Sequence, residues 1–153
     1  MSDHVKIIIV GPSQVGKSCL ANVLGATRDT PTADYKETCP LRILETDVSG
    51  LSLTGGRRIG RGSSASVEIW DVGGNTRYQS CWPAIKQGAD GVIFVMNAEA
   101  EGQERELEFW HKSFAGDAIA AGNCAVFCHH STAPTGGNAI PRLPGPLAQI
   151  KAY

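Results

Sequence analysis

Residues 11–18 constrain this chain more than any other part of its sequence. They read Gly-Pro-Ser-Gln-Val-Gly-Lys-Ser, and this spacing of glycines before Lys and Ser lets backbone N–H groups wrap a phosphate. An apolar run over 5–10 precedes them and predicts a strand buried on both faces. A helical pattern over 18–24 follows, so a helix N-terminus would also face the anion. We expect a phosphate to contact Gly11, Ser13, Gln14, Val15, Gly16, Lys17, Ser18 and Cys19, with Lys17 reaching the β- and γ-phosphates of a nucleotide.

Ser18 and residues of two other segments are candidates to bind a divalent cation beside that phosphate. The Ser18 hydroxyl should ligate Mg²⁺. Asp71 ends a predicted buried strand, where the Mg²⁺ of a nucleotide needs a carboxylate partner. Gly74 follows in Asp-Val-Gly-Gly and should offer its N–H to the γ-phosphate. Thr38, in a polar loop, is a third candidate ligand that would order its loop in the triphosphate state.

Buried strands alternate with helical patterns along the rest of the chain. The predicted strands are 5–10, 41–47, 67–72, 91–97, 124–128 and 150–153, and helices are predicted at 18–24 and 105–114. This alternation favours a single α/β domain over 1–153, with three layers and a mainly parallel sheet. The consecutive strands 41–47 and 67–72 would supply one antiparallel edge. The Gly- and Ser-rich stretch 48–66 has little to bury and is predicted to be a flexible hairpin tip.

Composition limits the kinds of binding partner and the cellular compartment that we expect for this chain. A net charge of −1 over 153 residues gives no electrostatic case for nucleic acid or a membrane surface. Residue 2 is Ser and the chain ends Lys-Ala-Tyr, so neither lipidation motif is present and no direct membrane anchor is expected. Five cysteines without a C-x-x-C pair favour free thiols in a reducing cytoplasm. Cys124 and Cys128 would share one face of a strand and pack as small apolar groups.

The three nucleotide-binding segments resemble the first three guanine-nucleotide motifs of Ras-like small GTPases. The similarity is strongest to the Rab-like GTPases of the intraflagellar transport B complex. It rests on residues 42–45, 70–74, 80–84 and His129-His130, with Ser-Cys-Trp-Pro-Ala at 80–84 the most specific piece. The resemblance implies a Ras-like P-loop NTPase fold, GTP or GDP with Mg²⁺, and a place in the cilium or flagellum. It also implies docking on coiled-coil subunits of that complex.

Asn75 is the first departure from the Ras-like pattern. Ras-like enzymes keep a Gln there that orients the attacking water. Asn carries the same amide on a chain one methylene shorter, and such catalysis depends on sub-ångström positioning. We therefore expect Asn75 to be a weak catalytic residue and hydrolysis to be slower than the intrinsic Ras rate of about 10⁻⁴ s⁻¹. Arg77, nearby, is a further candidate for the γ-phosphate.

The base-binding motif departs further. After the predicted strand 124–128, Ras-like proteins carry Asn-Lys-x-Asp, whose Asp selects guanine by hydrogen bonds. Here the sequence is His129-His130-Ser-Thr. Hydrogen-bonded selection reaches about 10⁴-fold because the wrong base leaves buried groups unpaired, and we expect most of it to be lost. His129 and His130 are candidates to stack on or bond the base, or they merely end the strand.

A Ras-like domain closes one face of its sheet with a C-terminal helix, and no segment of this sequence predicts one. We expect either a domain shortened at its C-terminal end or another element that covers that face. Left bare, the apolar patch would bind a partner or aggregate.

Three functions remain open at this point. The chain could be a nucleotide-gated binding module, a GTPase timer that needs an activator, or a constitutive structural adaptor with a non-switching nucleotide. Tyr78, Trp82 and Phe109 are candidates for exposed aromatic residues of a docking surface, with Phe109 the strongest because it lies off the inward stripe of its helix.

Overall fold

Six strands form one sheet in the computed structural model, which describes residues 3–27, 35–49, 64–130 and 140–153. The strands are β1 (Asp3–Val10), β2 (Leu41–Ser49), β3 (Ser64–Val72), β4 (Gly91–Asn97), β5 (Cys124–His129) and β6 (Lys151–Ala152). Their order across the sheet is β2-β3-β1-β4-β5-β6. Neighbouring strands run parallel except β2 and β3, which run antiparallel. The predicted mainly parallel sheet with one antiparallel edge is therefore confirmed.

Within the described ranges, three α-helices cover the sheet: α1 (Lys17–Leu24), α2 (Trp82–Lys86) and α3 (Gln103–Phe114). Short 3₁₀ turns lie at Thr76–Cys81, Ala121–Asn123 and Gly145–Gln149. The predicted inward stripe of α3 is confirmed, since Leu107, Trp110 and Phe114 are buried. Among the residues described, every helix falls short of the length and apolar character that crossing a bilayer requires.

Two apolar cores lie on opposite faces of the sheet, which makes the domain three-layered. The larger core packs α2 and α3 against one face, and the smaller one packs α1 against the other. β1 contributes to both, because Ile8 belongs to the larger core and Ile9 to the smaller one, as the continuous apolar run predicted. On the α1 face, partly buried apolar side chains border the core: Val5, Ile7, Ile93 and Phe127.

The antiparallel pair extends further than the sequence predicted. Its ladder reaches Ser49 opposite Ser64, so both ends of the stretch expected to be a hairpin tip are strand. Small and β-branched residues at these ends still form the ladder, because backbone pairing needs no apolar side chain. Residues 50–63 of the predicted tip lie outside the described residues.

Cys124 and Cys128 line one face of β5, as predicted. Cys124 is part of the larger core and Cys128 packs against it. Burial raises the pKa of both thiols above the ordinary cysteine value, which disfavours the reactive thiolate. They therefore serve packing, as the sequence indicated.

The expectation for Trp82 as an exposed aromatic residue is wrong. Trp82 is only 3% exposed, because α2 turns its indole under the aromatic stripe of α3. The ring centroids of Trp82 and Trp110 are 4.9 Å apart, and those of Trp82 and Phe114 are 5.1 Å apart. Tyr78 is half-buried. Phe109 is 40% exposed, as expected.

Candidate nucleotide and magnesium site

The loop between β1 and α1 is held close to the sheet by its glycines. Gly11 has a φ of +147°, and a Cβ built there would lie 2.1 Å from the Val95 carbonyl oxygen. Gly16 has a φ of +92° and precedes the first residue of α1. Side chains at these positions would clash or strain the backbone. The loop can therefore curl so that its N–H groups face one point above the helix N-terminus, while Ser13 and Gln14 lie exposed on it.

Lys17 is held inside this curl. Its side chain is almost fully buried, and its Nζ donates a hydrogen bond to the Pro12 carbonyl oxygen at 2.5 Å. Burial lowers the pKa of Lys17 to about 8, while the charge of nearby Asp71 acts in the opposite direction. A desolvated ammonium group of this kind gains much from a phosphate placed beside it, because water no longer competes for its charge.

The three predicted metal ligands converge from separate parts of the chain. Ser18 Oγ, in the first turn of α1, donates to Asp71 Oδ2 at 2.6 Å. Thr38 Oγ1 lies 3.0 Å from Ser18 Oγ. Asp71 is fully buried, and its second oxygen, Oδ1, has no hydrogen-bond partner among the described residues. A buried carboxylate oxygen without a partner is costly, and hard oxygen ligands with a free carboxylate oxygen fit Mg²⁺.

Arg42 joins this cluster, a contact that was not predicted from the sequence. Its Nη2 lies 3.3 Å from Asp71 Oδ2 and donates to the Ser18 carbonyl oxygen at 3.1 Å. The cause is register, because Arg42 stands directly opposite Asp71 in the β2–β3 ladder. The predicted antiparallel pairing of strands 41–47 and 67–72 was a signal that could have indicated the contact between Arg42 and Asp71, once the two strands were aligned.

Gly73 and Gly74 bring the end of β3 against both other segments. Gly73 N donates to the Pro40 carbonyl oxygen at 2.8 Å. A Cβ built at Gly74 would lie 2.5 Å from Ser13 N and 2.8 Å from Lys17 Nζ. Only glycine permits this approach, so the Gly74 backbone borders the phosphate loop directly.

Asn75 and Arg77 are engaged with each other and with the loop of Thr38. Asn75 Oδ1 accepts a hydrogen bond from Arg77 N at 3.0 Å and so caps the turn Thr76–Cys81. The Arg77 guanidinium lies 3.5 Å from a Glu37 carboxylate oxygen and contacts the Tyr78 hydroxyl. In this arrangement Arg77 links the turn Thr76–Cys81 to the loop that carries Thr38.

A cavity of about 280 Å³ opens behind the loop, on the α1 side of β5. Its lining is mostly apolar and includes Val15, Gly16, Cys19, Leu20, Val23, Val95, Phe127, Cys128, His129 and His130. The His129 ring packs on the loop, since a Cβ built at Gly16 would lie 3.4 Å from His129 Nδ1. An aromatic base fits such a slot in size and polarity. Residues 131 and 132, which complete the predicted base-binding segment that begins at His129, lie outside the described residues.

Comparison with known proteins shows the family of this chain. Residues 6–131 match the family described as "Ras of Complex, Roc, domain of DAPkinase". The chain is also 43% identical to intraflagellar transport protein 22 of Trypanosoma brucei brucei, over 98% of this chain and 76% of that protein. The chain belongs to the intraflagellar transport protein 22 family of Ras-like GTPases.

Solved structures of this family superpose on the chain. A T. brucei IFT22/74/81 GTP-bound crystal structure matches with a TM-score of 0.79 and 42% identity, over 99% of this chain and 81% of that one. A T. brucei IFT22 GDP-bound crystal structure matches with a TM-score of 0.70 and 39% identity, over 99% of this chain and 82% of that one. As a member of the intraflagellar transport protein 22 family, the chain is a small GTPase of intraflagellar transport, and so a protein of the cilium or flagellum.

Proposed function

We propose that this chain binds GTP and GDP with Mg²⁺, hydrolyses GTP slowly, and acts as a nucleotide-gated binding module in the intraflagellar transport B complex. One observation carries the proposal: Thr38 meets Ser18 and Asp71 at a single point beside the buried Lys17. A loop threonine at that point responds to whether a metal-bound triphosphate is present. The relatives crystallised with GTP and with GDP support the choice of nucleotide.

The residues have distinct roles in this proposal. Lys17 and the loop N–H groups hold the β- and γ-phosphates, and Gly74 offers its N–H to the γ-phosphate. Ser18, Thr38 and Asp71 hold the metal, with the free Asp71 Oδ1 available to it or to its bound water. Mg²⁺ supplies neutralisation of the phosphate charge. Loss of the γ-phosphate would release Thr38 and Gly74, and with them both segments that border the loop.

His129 and His130 are the proposed base contacts. The His129 ring already packs against Gly16, so a base entering the cavity would meet its edge or face. An imidazole can donate or accept one hydrogen bond at each nitrogen, whereas the carboxylate of other Ras-like proteins accepts two from guanine. We therefore propose guanine binding with reduced discrimination.

Calorimetric titration of the protein with GTP, GDP and ATP in Mg²⁺ tests this function. We expect GTP and GDP to bind with micromolar or tighter Kd values. ATP should bind more weakly, by less than the roughly 10⁴-fold that hydrogen-bonded selection reaches. His129→Ala should weaken all three, and Cys81→Ala, an exposed position away from the cavity, should weaken none. Absence of binding, or equal binding of GTP and ATP, would favour the structural adaptor instead.

Slow hydrolysis is expected because Asn75 is short and its amide oxygen is already bonded to Arg77 N. That bond holds the short side chain in the cap, so the amide is poorly placed to reach and orient an attacking water molecule. Single-turnover assays with GTP should give a rate below about 10⁻⁴ s⁻¹, the intrinsic Ras value. Asn75→Gln, with its longer side chain, should be faster, and Asn75→Ala should match the parent. A parent rate at or above the Ras value would contradict this part of the proposal.

Coiled-coil subunits of the intraflagellar transport B complex are the proposed partners. The T. brucei IFT22/74/81 structure, with a TM-score of 0.79 to this chain, supports assembly with further subunits of the complex. Phe109, 40% exposed beside buried Trp82, is a candidate contact for an apolar seam. The segments around Thr38 and Gly74 are the surface that nucleotide would change.

A further inference from the structure

The buried carboxylate of Asp71 is compensated from the β2 side by a guanidinium. Asp71 is 0% exposed, and Arg42 Nη2 lies 3.3 Å from its Oδ2. A buried charge left without compensation is strongly destabilising. When no metal is bound, Arg42 therefore supplies positive charge that the carboxylate needs.

Arg42 also fixes how the metal ligands face each other. The same Nη2 donates to the Ser18 carbonyl oxygen at 3.1 Å, so the guanidinium bridges the first turn of α1 and the end of β3. Arg42 and Ser18 Oγ both contact Asp71 Oδ2, and in the part of the chain that the structure describes no group bonds Oδ1. The Arg42 side chain is 35% exposed, so its charge is only partly screened by water.

We propose that Arg42 is a positioning residue and a built-in competitor of the magnesium site, an inference that rests on the proposed function. It stabilises the metal-free protein by neutralising Asp71. Its contacts with Asp71 Oδ2 and the Ser18 carbonyl oxygen hold its charge beside the proposed metal position, where it would repel Mg²⁺ and weaken magnesium affinity. As a result, the protein stays folded without the metal, and bound Mg²⁺ exchanges readily with solution.

Arg42 should raise the stability of the metal-free protein and lower its affinity for Mg²⁺. These opposite effects distinguish the proposed role from that of an ordinary structural ion pair. Like charges a few ångströms apart in a partly screened site change an equilibrium constant by roughly tenfold or more. Removing the Arg42 charge should therefore tighten Mg²⁺ binding by that factor while it destabilises the metal-free protein. Loss of a purely structural bridge would loosen the ligands and weaken both.

The first experiment measures magnesium affinity in the GDP-bound protein. Release of a fluorescent GDP analogue is followed over a series of free Mg²⁺ concentrations for the parent, Arg42→Gln and Arg42→Lys. Arg42→Gln keeps donors but no charge, and its half-maximal Mg²⁺ concentration should fall roughly tenfold. Arg42→Lys keeps the charge and should stay near the parent value. An unchanged or higher half-maximal concentration in Arg42→Gln overturns the proposal.

The second experiment needs neither nucleotide nor metal. In urea unfolding with EDTA, Arg42→Gln should lower the folding equilibrium constant of the parent protein tenfold or more. In a protein that already carries Asp71→Asn, Arg42→Gln should change that constant little. This cycle isolates the pair, and equal costs in both backgrounds overturn the compensation role. If the parent protein binds no GDP analogue, the proposed function fails, and the urea cycle still decides whether Arg42 compensates Asp71.

Discussion

Gly74→Ala is expected to lower GTP affinity by about 10- to 100-fold. A Cβ at this position would lie 2.5 Å from Ser13 N and 2.8 Å from Lys17 Nζ, so the end of β3 and the phosphate loop must move apart. The displacement removes the N–H that we assign to the γ-phosphate. A hydrogen bond to a charged group contributes about 1.5–3 kcal/mol, which corresponds to that range. Calorimetric titration with GTP and GDP measures the effect.

GDP affinity should fall much less, because GDP has no γ-phosphate for Gly74 to contact. Gly122→Ala is the matched control, since a Cβ there meets no atom of the described residues within 4 Å and its backbone is not in the left-handed region. The control should bind both nucleotides like the parent. Equal losses for GTP and GDP would mean that the substitution disturbs Lys17 rather than the γ-phosphate contact. No loss for either would remove Gly74 from the site.

The phosphate half of the site could be predicted because its chemistry is local in sequence. The glycines, Lys17 and Ser18 stand between one strand and one helix, so their spacing alone fixes what they face. Asp71 was predictable for a similar reason, as it ends a strand beside that loop. Thr38 was weaker evidence, because a single loop threonine has no periodicity. The structure brings it within 3.0 Å of Ser18 Oγ, which no local pattern could establish.

The residues that sequence reasoning missed or misplaced depend on contacts between distant segments. Arg42 reaches Asp71 only through the register of an antiparallel pair, and a one-residue slip would turn it to the other face. Trp82 begins a helix of five residues, too short to display a 3.6-residue apolar period. Its aromatic partners lie in α3, so its burial is a property of tertiary packing and not of its neighbours in sequence.

Trp82→Ala is expected to destabilise the protein by about 3–5 kcal/mol, the usual cost of removing a large buried aromatic side chain. Its indole contacts three aromatic rings of α3, with centroid distances of 4.9 Å to Trp110, 5.1 Å to Phe114 and 5.7 Å to Phe109. Native domains have only about 5–15 kcal/mol of stability in total. Urea unfolding followed by circular dichroism should therefore show a much lower midpoint with an unchanged slope.

Two further variants test why Trp82→Ala should destabilise the protein so strongly. Trp82→Phe keeps an aromatic ring and removes the indole N–H, which is buried and has no hydrogen-bond partner within the described ranges, so its cost should be well below that of Trp82→Ala. Phe109→Ala removes a ring that is 40% exposed and should cost about 1 kcal/mol. If Trp82→Ala proved as mild as Phe109→Ala, the indole would not be a core residue. Trp82 would then return to the aromatic candidates for partner docking, and the packing of α2 against α3 described above would be wrong.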